Sequence, residues 1–195
     1  AISYTDDTIL NGINYYYALT IIDSFGNESS SFSSVGPVMG NSKPVISNLT
    51  VFMASDGIVK INYNLSDDEN TTFEILLEYF NGSDWQTAVS VSGTGNQTNG
   101  VSKSISWLAK NDFPDQDILN ARIRITANDL QSVNNQSQLE SDEFRLDTLA
   151  PSAPTIDSLP EFTNETPLLI SGTREAYTSV LLDGEEIVSI DASTT

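Results

Sequence analysis

Apolar and polar residues alternate with a period of two along most of the chain. In Val59-Lys60-Ile61-Asn62-Tyr63-Asn64-Leu65 every second residue is apolar, the pattern of a strand with one buried face. The alternation recurs at Phe73, Ile75, Leu77 and Tyr79, at Ile105 and Trp107, and at Ala121, Ile123, Ile125 and Ala127, with Arg122 and Arg124 facing the other way. No segment of helical length keeps a 3.6-residue period. Between the runs lie Asn11-Gly12, Asp56-Gly57, Asn81-Gly82, Asn99-Gly100 and Asp183-Gly184, dipeptides suited to tight turns. Short strands with frequent turns predict an all-β chain of serial antiparallel β-sandwiches.

Two proline-bearing joints divide the sequence, Gly36-Pro37-Val38-Met39-Gly40-Asn41-Ser42-Lys43-Pro44 and Asp147-Thr148-Leu149-Ala150-Pro151-Ser152-Ala153-Pro154. They set linkers at 37–43 and 148–154. Residues 44–147, between them, have the size of one complete sandwich, about 100 residues. Residues 1–36 offer strands near 1–5, 14–23 and 30–35; residues 155–195 offer four short ones, including a hairpin over 180–188. Neither flank can bury two sheet faces. Both are therefore expected to be incomplete sandwiches inside a longer chain, completed by its other parts or by strand addition from a neighbour.

The 195 residues carry 27 acidic and 8 basic side chains, with no histidine and no cysteine, for a net charge of −19. Disulfides, thiol nucleophiles and a histidine base are excluded, and so is a zinc site of His and Cys ligands. Acidity is spread out, with net charges of −3 before Pro44, −9 from Pro44 to Asp147 and −7 afterwards. Such a surface repels nucleic acid and anionic lipid, and favours cations, sugars or other proteins as partners. No run approaches the roughly 18 apolar residues of a membrane helix, so no membrane insertion is expected in this segment. No basic, apolar leader opens the sequence, so any export signal is expected outside it.

The stretch Ser3-Tyr4-Thr5-Asp6-Asp7, followed by Asn11 to Thr20 with its Tyr15-Tyr16-Tyr17 run and by Asp23-Ser24-Phe25-Gly26-Asn27-Glu28-Ser29, resembles the last three strands of a fibronectin type III domain. The middle segment, with Val59 to Asp67, Asp84-Trp85, Ile105-Ser106-Trp107 and Arg122 to Asp129, resembles a sandwich module of prokaryotic surface proteins. The last, with Leu169-Ile170-Ser171-Gly172-Thr173 and Val180 to Gly184, is similar to tandem bacterial Ig-like repeats. The resemblance implies an array of Ig-like and fibronectin type III-like modules, the first and last incomplete. That architecture is shared by adhesins, S-layer proteins, secreted hydrolases and fibre subunits, so it does not name an activity.

Asn-x-Ser/Thr triplets occur at Asn27, Asn48, Asn64, Asn70, Asn81, Asn96, Asn135 and Asn164. Composition alone gives about four, so these eight are candidate glycosylation sites, against the plainer reading of a surface rich in Ser, Thr and Asn. Calcium is the candidate cofactor. Asp67, Asp68 and Glu69 share one turn, Asp112, Asp115 and Asp117 a second loop, and Asp129 borders a third. Asp147 and Asp157 flank the second joint. EF-hand spacing is missing, and acidic turns are commonly just solvated.

Catalytic residues are not expected. Asp142 and Glu143 are adjacent, and on a strand would face opposite ways. Lys43, Lys60, Lys103 and Lys110 are the only amines available for a lysine–asparagine crosslink, and Lys60 alternates outward. Trp85, Trp107, Tyr79 and Phe80 are candidates for a sugar-stacking platform, with core packing the stronger reading for Trp107. The expected function is a non-catalytic structural segment of a long extracellular prokaryotic surface protein, as S-layer, sheath or filament material. Its partners would be other copies, neighbouring surface proteins or glycans. The alternatives are an adhesin stalk and an accessory region of a secreted hydrolase.

Overall fold

The alternating runs become strands whose apolar positions share one interior in the computed structural model, which describes residues 3–194. The chain forms two compact units, one up to Thr148 and one from Leu149 onward. The first contains β1 (Asn14–Leu19), β2 (Ser33–Met39), β3 (Val45–Met53), β4 (Ile58–Ser66), β5 (Thr72–Phe80), β6 (Trp85–Thr87), β7 (Val91–Ser92), β8 (Gly95–Thr98) and β9 (Gly100–Leu108). After a single helical turn, α1 (Ala109–Asp112), follow β10 (Asp117–Ala121), β11 (Ile123–Asn128), β12 (Gln136–Glu140) and β13 (Phe144–Asp147).

Strands β3, β4, β9 and β7, in that order, make a four-stranded antiparallel sheet. A second sheet runs β12-β11-β5, with both β6 and β8 pairing to β5, and β10 pairs with β13. The two larger sheets turn their apolar faces onto a common core, as an antiparallel sandwich must. Val59, Ile61, Tyr63 and Leu65 of β4 are at most 2% exposed, as are Phe73, Ile75 and Leu77 of β5 opposite them. Burying each such aliphatic side chain contributes about 1.5–3 kcal/mol. The Tyr63 hydroxyl finds no partner among the described residues, and burial pushes its pKa up to about 12. Trp107 stacks on Tyr79 with ring centroids 4.8 Å apart, and Phe113, just beyond α1, tilts against Tyr79.

The first flank departs from the sequence expectation. β2 continues through Pro37 to Met39, so three of the seven residues of the expected 37–43 linker are strand. Proline is tolerated because β2 is an edge with no neighbour on its far side among the described residues. Gly36, with φ 141°, lets it pass Tyr15: a Cβ there would lie 2.8 Å from the Tyr15 carbonyl oxygen. The strand expected over residues 1–5 begins outside the described residues, and residues 3–10 carry no strand. Every residue of β2 is exposed, as are Tyr16 and Leu19 of β1.

In the second unit the expected hairpin is present as β14 (Val180–Leu182) and β15 (Glu185–Val188), turning at Asp183 and Gly184 with φ of 52° and 87°. Of the four strands expected there, these are the two found among the described residues. Thr155 and Asp157 donate backbone bonds to the carbonyls of Thr173 and Ser171, both 2.8 Å, too short a ladder to count as strands. No helix among the described residues is long and apolar enough to cross a membrane.

Candidate functional site

Three segments of the first unit meet at one end of the sandwich: the 40–44 connection between β2 and β3, the β4–β5 turn and the β11–β12 loop. The β4–β5 turn is shaped by Asp67, whose Oδ1 accepts the backbone N–H groups of Glu69 (2.9 Å) and Asn70 (2.8 Å). Glu69 Oε2 then accepts both the backbone N–H of Ser42, at 3.2 Å, and its hydroxyl. Asn41 is 8% exposed and Asp129 3% exposed. The Asn41 amide nitrogen donates to Asp129 Oδ2 at 2.8 Å and to the Val133 carbonyl at 3.0 Å, while its Oδ1 accepts from Asn70 Nδ2 at 2.8 Å. Asn134 Nδ2 closes on the Asn41 carbonyl, and the Gln131 backbone N–H on Asp129 Oδ1. With Pro44 buried beside it, the connection is clasped to the sandwich rather than free to swing.

The clasp has one electrostatic mismatch. Asp67 Oδ2 and Glu69 Oε1 are both buried, and neither has a hydrogen-bond donor among the described residues. Burial raises the Asp67 pKa, against the two backbone bonds that lower it, and the neighbouring Glu69 raises it further. Glu69 is shifted the other way: the Ser42 hydroxyl lowers its pKa more than burial raises it.

The seven acids expected to bind calcium are not gathered. Asp67, Glu69 and Asp129 share the clasp, but Asp68 is exposed, and Asp112, Asp115 and Asp117 lie elsewhere. Among the described residues no three acidic side chains are arranged to hold a metal ion. The physical reason is that most of these oxygens are already taken by donors. Asp112 accepts the N–H groups of Val89 (2.8 Å) and Ser90 (3.0 Å) and the Trp107 indole N–H (2.9 Å). Burial alone would raise the Asp112 pKa; the bonds from Ser90, Trp107 and Val89 overcome this and lower it. Asp117 is paired bidentately with Arg145 at 2.8 and 3.0 Å, which lowers its pKa, and Asp147 meets the same guanidinium at 3.1 Å. Asp115 is an exposed turn residue with φ 56°. In the second unit Asp157 accepts the Ser171 hydroxyl.

The eight triplets are not equivalent. Asn48, exposed at φ 51° in a bulge of β3, exposed Asn96 in β8 and exposed Asn164 in the second unit make no side-chain amide hydrogen bond to any described residue. Asn27 is exposed but its amide donates to Asp23, and Asn64 is half-buried and accepts the Ser102 N–H. Asn81 caps a turn through Ser83 and Asp84, and half-buried Asn135 closes another through its carbonyl to Asp129. Asn70 is committed to the clasp through its amide nitrogen.

The four aromatic candidates separate into two sites. Trp107 and Tyr79 are core residues at 0% and 8% exposure. Phe80 and Trp85 pair on the outer face of the five-stranded sheet, where Arg122 lies 5.1 Å from the Phe80 ring centre and Arg124 lies 4.5 Å from that of Trp85. Lys60 donates to Ser106 on the adjacent strand, Lys43 and Lys110 are exposed, and Lys103 is half-buried. Asp142 and Glu143 sit in the β12–β13 connection rather than on a strand, beside a shallow groove with Leu49, Val51 and Phe144.

Sequence reasoning missed Asn41 and Ser42. The available signal was a pair of capping-type side chains just ahead of a proline in a joint. Comparison with known families, curated proteins and solved structures finds no significant match for this chain.

Proposed function

We propose that the chain is a non-catalytic structural segment of a long extracellular surface protein from a prokaryote, built of serial fibronectin type III-like and Ig-like sandwiches. The observation that carries the reading is the clasp. Asn41 and Ser42, which continue directly from β2, are bonded into two loops of the following sandwich, so the connection holds a fixed direction instead of acting as a flexible tether. A spacer or wall element needs that property; a catalytic domain does not. The acidic surface suits a crowded exterior, where like charge keeps neighbouring copies soluble. The partners are other copies of the chain or adjacent surface proteins.

Antibodies raised against the purified chain test this on the source cells. Labelling of intact cells, with regular spacing between labels, is the expected result. Labelling that requires permeabilised cells overturns it.

A further inference from the structure

We propose that Asn81 is a site of spontaneous deamidation that the fold leaves open while it closes the two other Asn-Gly pairs. The reaction needs the backbone nitrogen of the following glycine to reach the asparagine side-chain carbonyl carbon. Glycine favours it because no Cβ obstructs the approach and the backbone can swing.

At Asn11 that nitrogen is engaged: the Gly12 N–H donates to the Gly40 carbonyl at 2.9 Å, and Asn11 and Gly40 form a bridge. At Asn99 both sides are tied, its backbone N–H to Thr71 and its amide nitrogen to the Asn70 carbonyl, and Gly100 is held in β9 opposite Leu65. Asn81 also has its backbone N–H bonded, to the Asp84 carbonyl at 3.1 Å, but it differs in the two groups that react: its amide nitrogen and the Gly82 nitrogen donate to no described residue. It lies in the turn between β5 and β6, where Gly82 has φ 100° and open space around the position of a Cβ. No acceptor among the described residues takes the Gly82 N–H. The Asn81 Oδ1 accepts from the backbone N–H groups of Ser83 (2.9 Å) and Asp84 (2.8 Å). Two N–H donors on Oδ1 polarise the side-chain carbonyl and make its carbon more open to attack.

In the step, the Gly82 nitrogen bonds to Asn81 Cγ and gives up its proton. The Cγ–Nδ2 bond breaks, and the amide leaves as ammonia carrying that proton. Water then opens the five-membered imide at either carbonyl, giving aspartate or isoaspartate. No oxidant, reductant or other co-reactant is involved. The product adds a negative charge beside Asp84 and, in the isoaspartyl form, an extra backbone atom to the hairpin. Because Asn81 begins an Asn-Gly-Ser triplet, deamidation also removes a glycan acceptor, and a glycan on Nδ2 blocks deamidation.

The test uses the full chain produced in a host without N-glycosylation, held at mildly alkaline pH either native or in concentrated urea, with conversion followed by peptide mass mapping. In urea the three pairs should convert at similar rates. In the native protein Asn11 and Asn99 should slow at least about tenfold, while Asn81 stays within about threefold of its unfolded rate. Equal protection of all three sites, or conversion of Asn11 or Asn99 ahead of Asn81, overturns the proposal. Gly82→Ala should cut conversion at Asn81 at least about tenfold in urea, where turn strain is irrelevant; an undiminished rate there also overturns it.

Discussion

Replacing Asp67 by asparagine should stabilise the first unit. Ionised Asp67 leaves Oδ2 buried without a donor, beside Glu69, whose Oε1 is buried without one as well. An asparagine at this position would keep the carbonyl oxygen that caps Glu69 and Asn70, and would put an N–H where the second oxygen stands. A hydrogen bond to a charged partner contributes about 1.5–3 kcal/mol net, and partial exposure of both residues reduces this to about 1 kcal/mol. For a unit of this size that is a rise in Tm of about 3 °C. The pH dependence has a definite sign. Because the folded pKa of Asp67 is raised, its favourable contribution is complete below the ordinary carboxylate value of about 3.9 and is lost as pH rises through the folded value. The advantage of Asp67→Asn should therefore be largest at neutral pH and close in acid. Thermal unfolding followed by circular dichroism at several pH values measures it. Asp68→Asn, which removes the same charge from an exposed neighbour, separates the local bond from general relief of repulsion. A lower or unchanged Tm for Asp67→Asn at neutral pH, or an equal rise with Asp68→Asn, refutes the reasoning.

Asp112→Ala should cost about 3 kcal/mol at neutral pH, since it orphans the buried Trp107 indole N–H and frees two backbone donors; urea unfolding followed by tryptophan fluorescence reads it. As the folded pKa is lowered, this contribution is full above about pH 3.9 and fades as pH falls through the folded value, so the variant and the parent should converge in acid. Asn41→Ala should destabilise by about 2 kcal/mol by leaving Asp129 and the Val133 carbonyl short of a donor, with faster hydrogen exchange confined first to the β11–β12 loop. In a glycosylating host, glycopeptide mapping of the folded protein should find Asn48, Asn96 and Asn164 occupied and Asn70 bare, because a sugar on Asn70 Nδ2 displaces the bonds to Asn41 and Asp129.

Strands β4, β5, β9 and β11 were legible in the sequence because each separates a dry interior from water, a difference written residue by residue at Val59 to Leu65 and Ile123 to Ala127; Ala121, read as part of the same run, ends β10 and pairs with β13 instead. β2 was only half legible, since Pro37 reads as a break unless the strand is known to be an edge. The clasp was legible as charge but not as bonding. Asp67, Glu69 and Asp129 stand out in a composition, yet the donors that complete two of them come from Ser42, 27 residues before Glu69, and Asn41, 88 residues before Asp129. No local pattern carries a pairing of that span between neutral amides and acids. In so acidic a chain the number of carboxylates is therefore a poor guide to cation sites. What discriminates is the supply of N–H groups, ample at Asp112, Asp117 and Asp129 and missing at Asp67 Oδ2 and Glu69 Oε1.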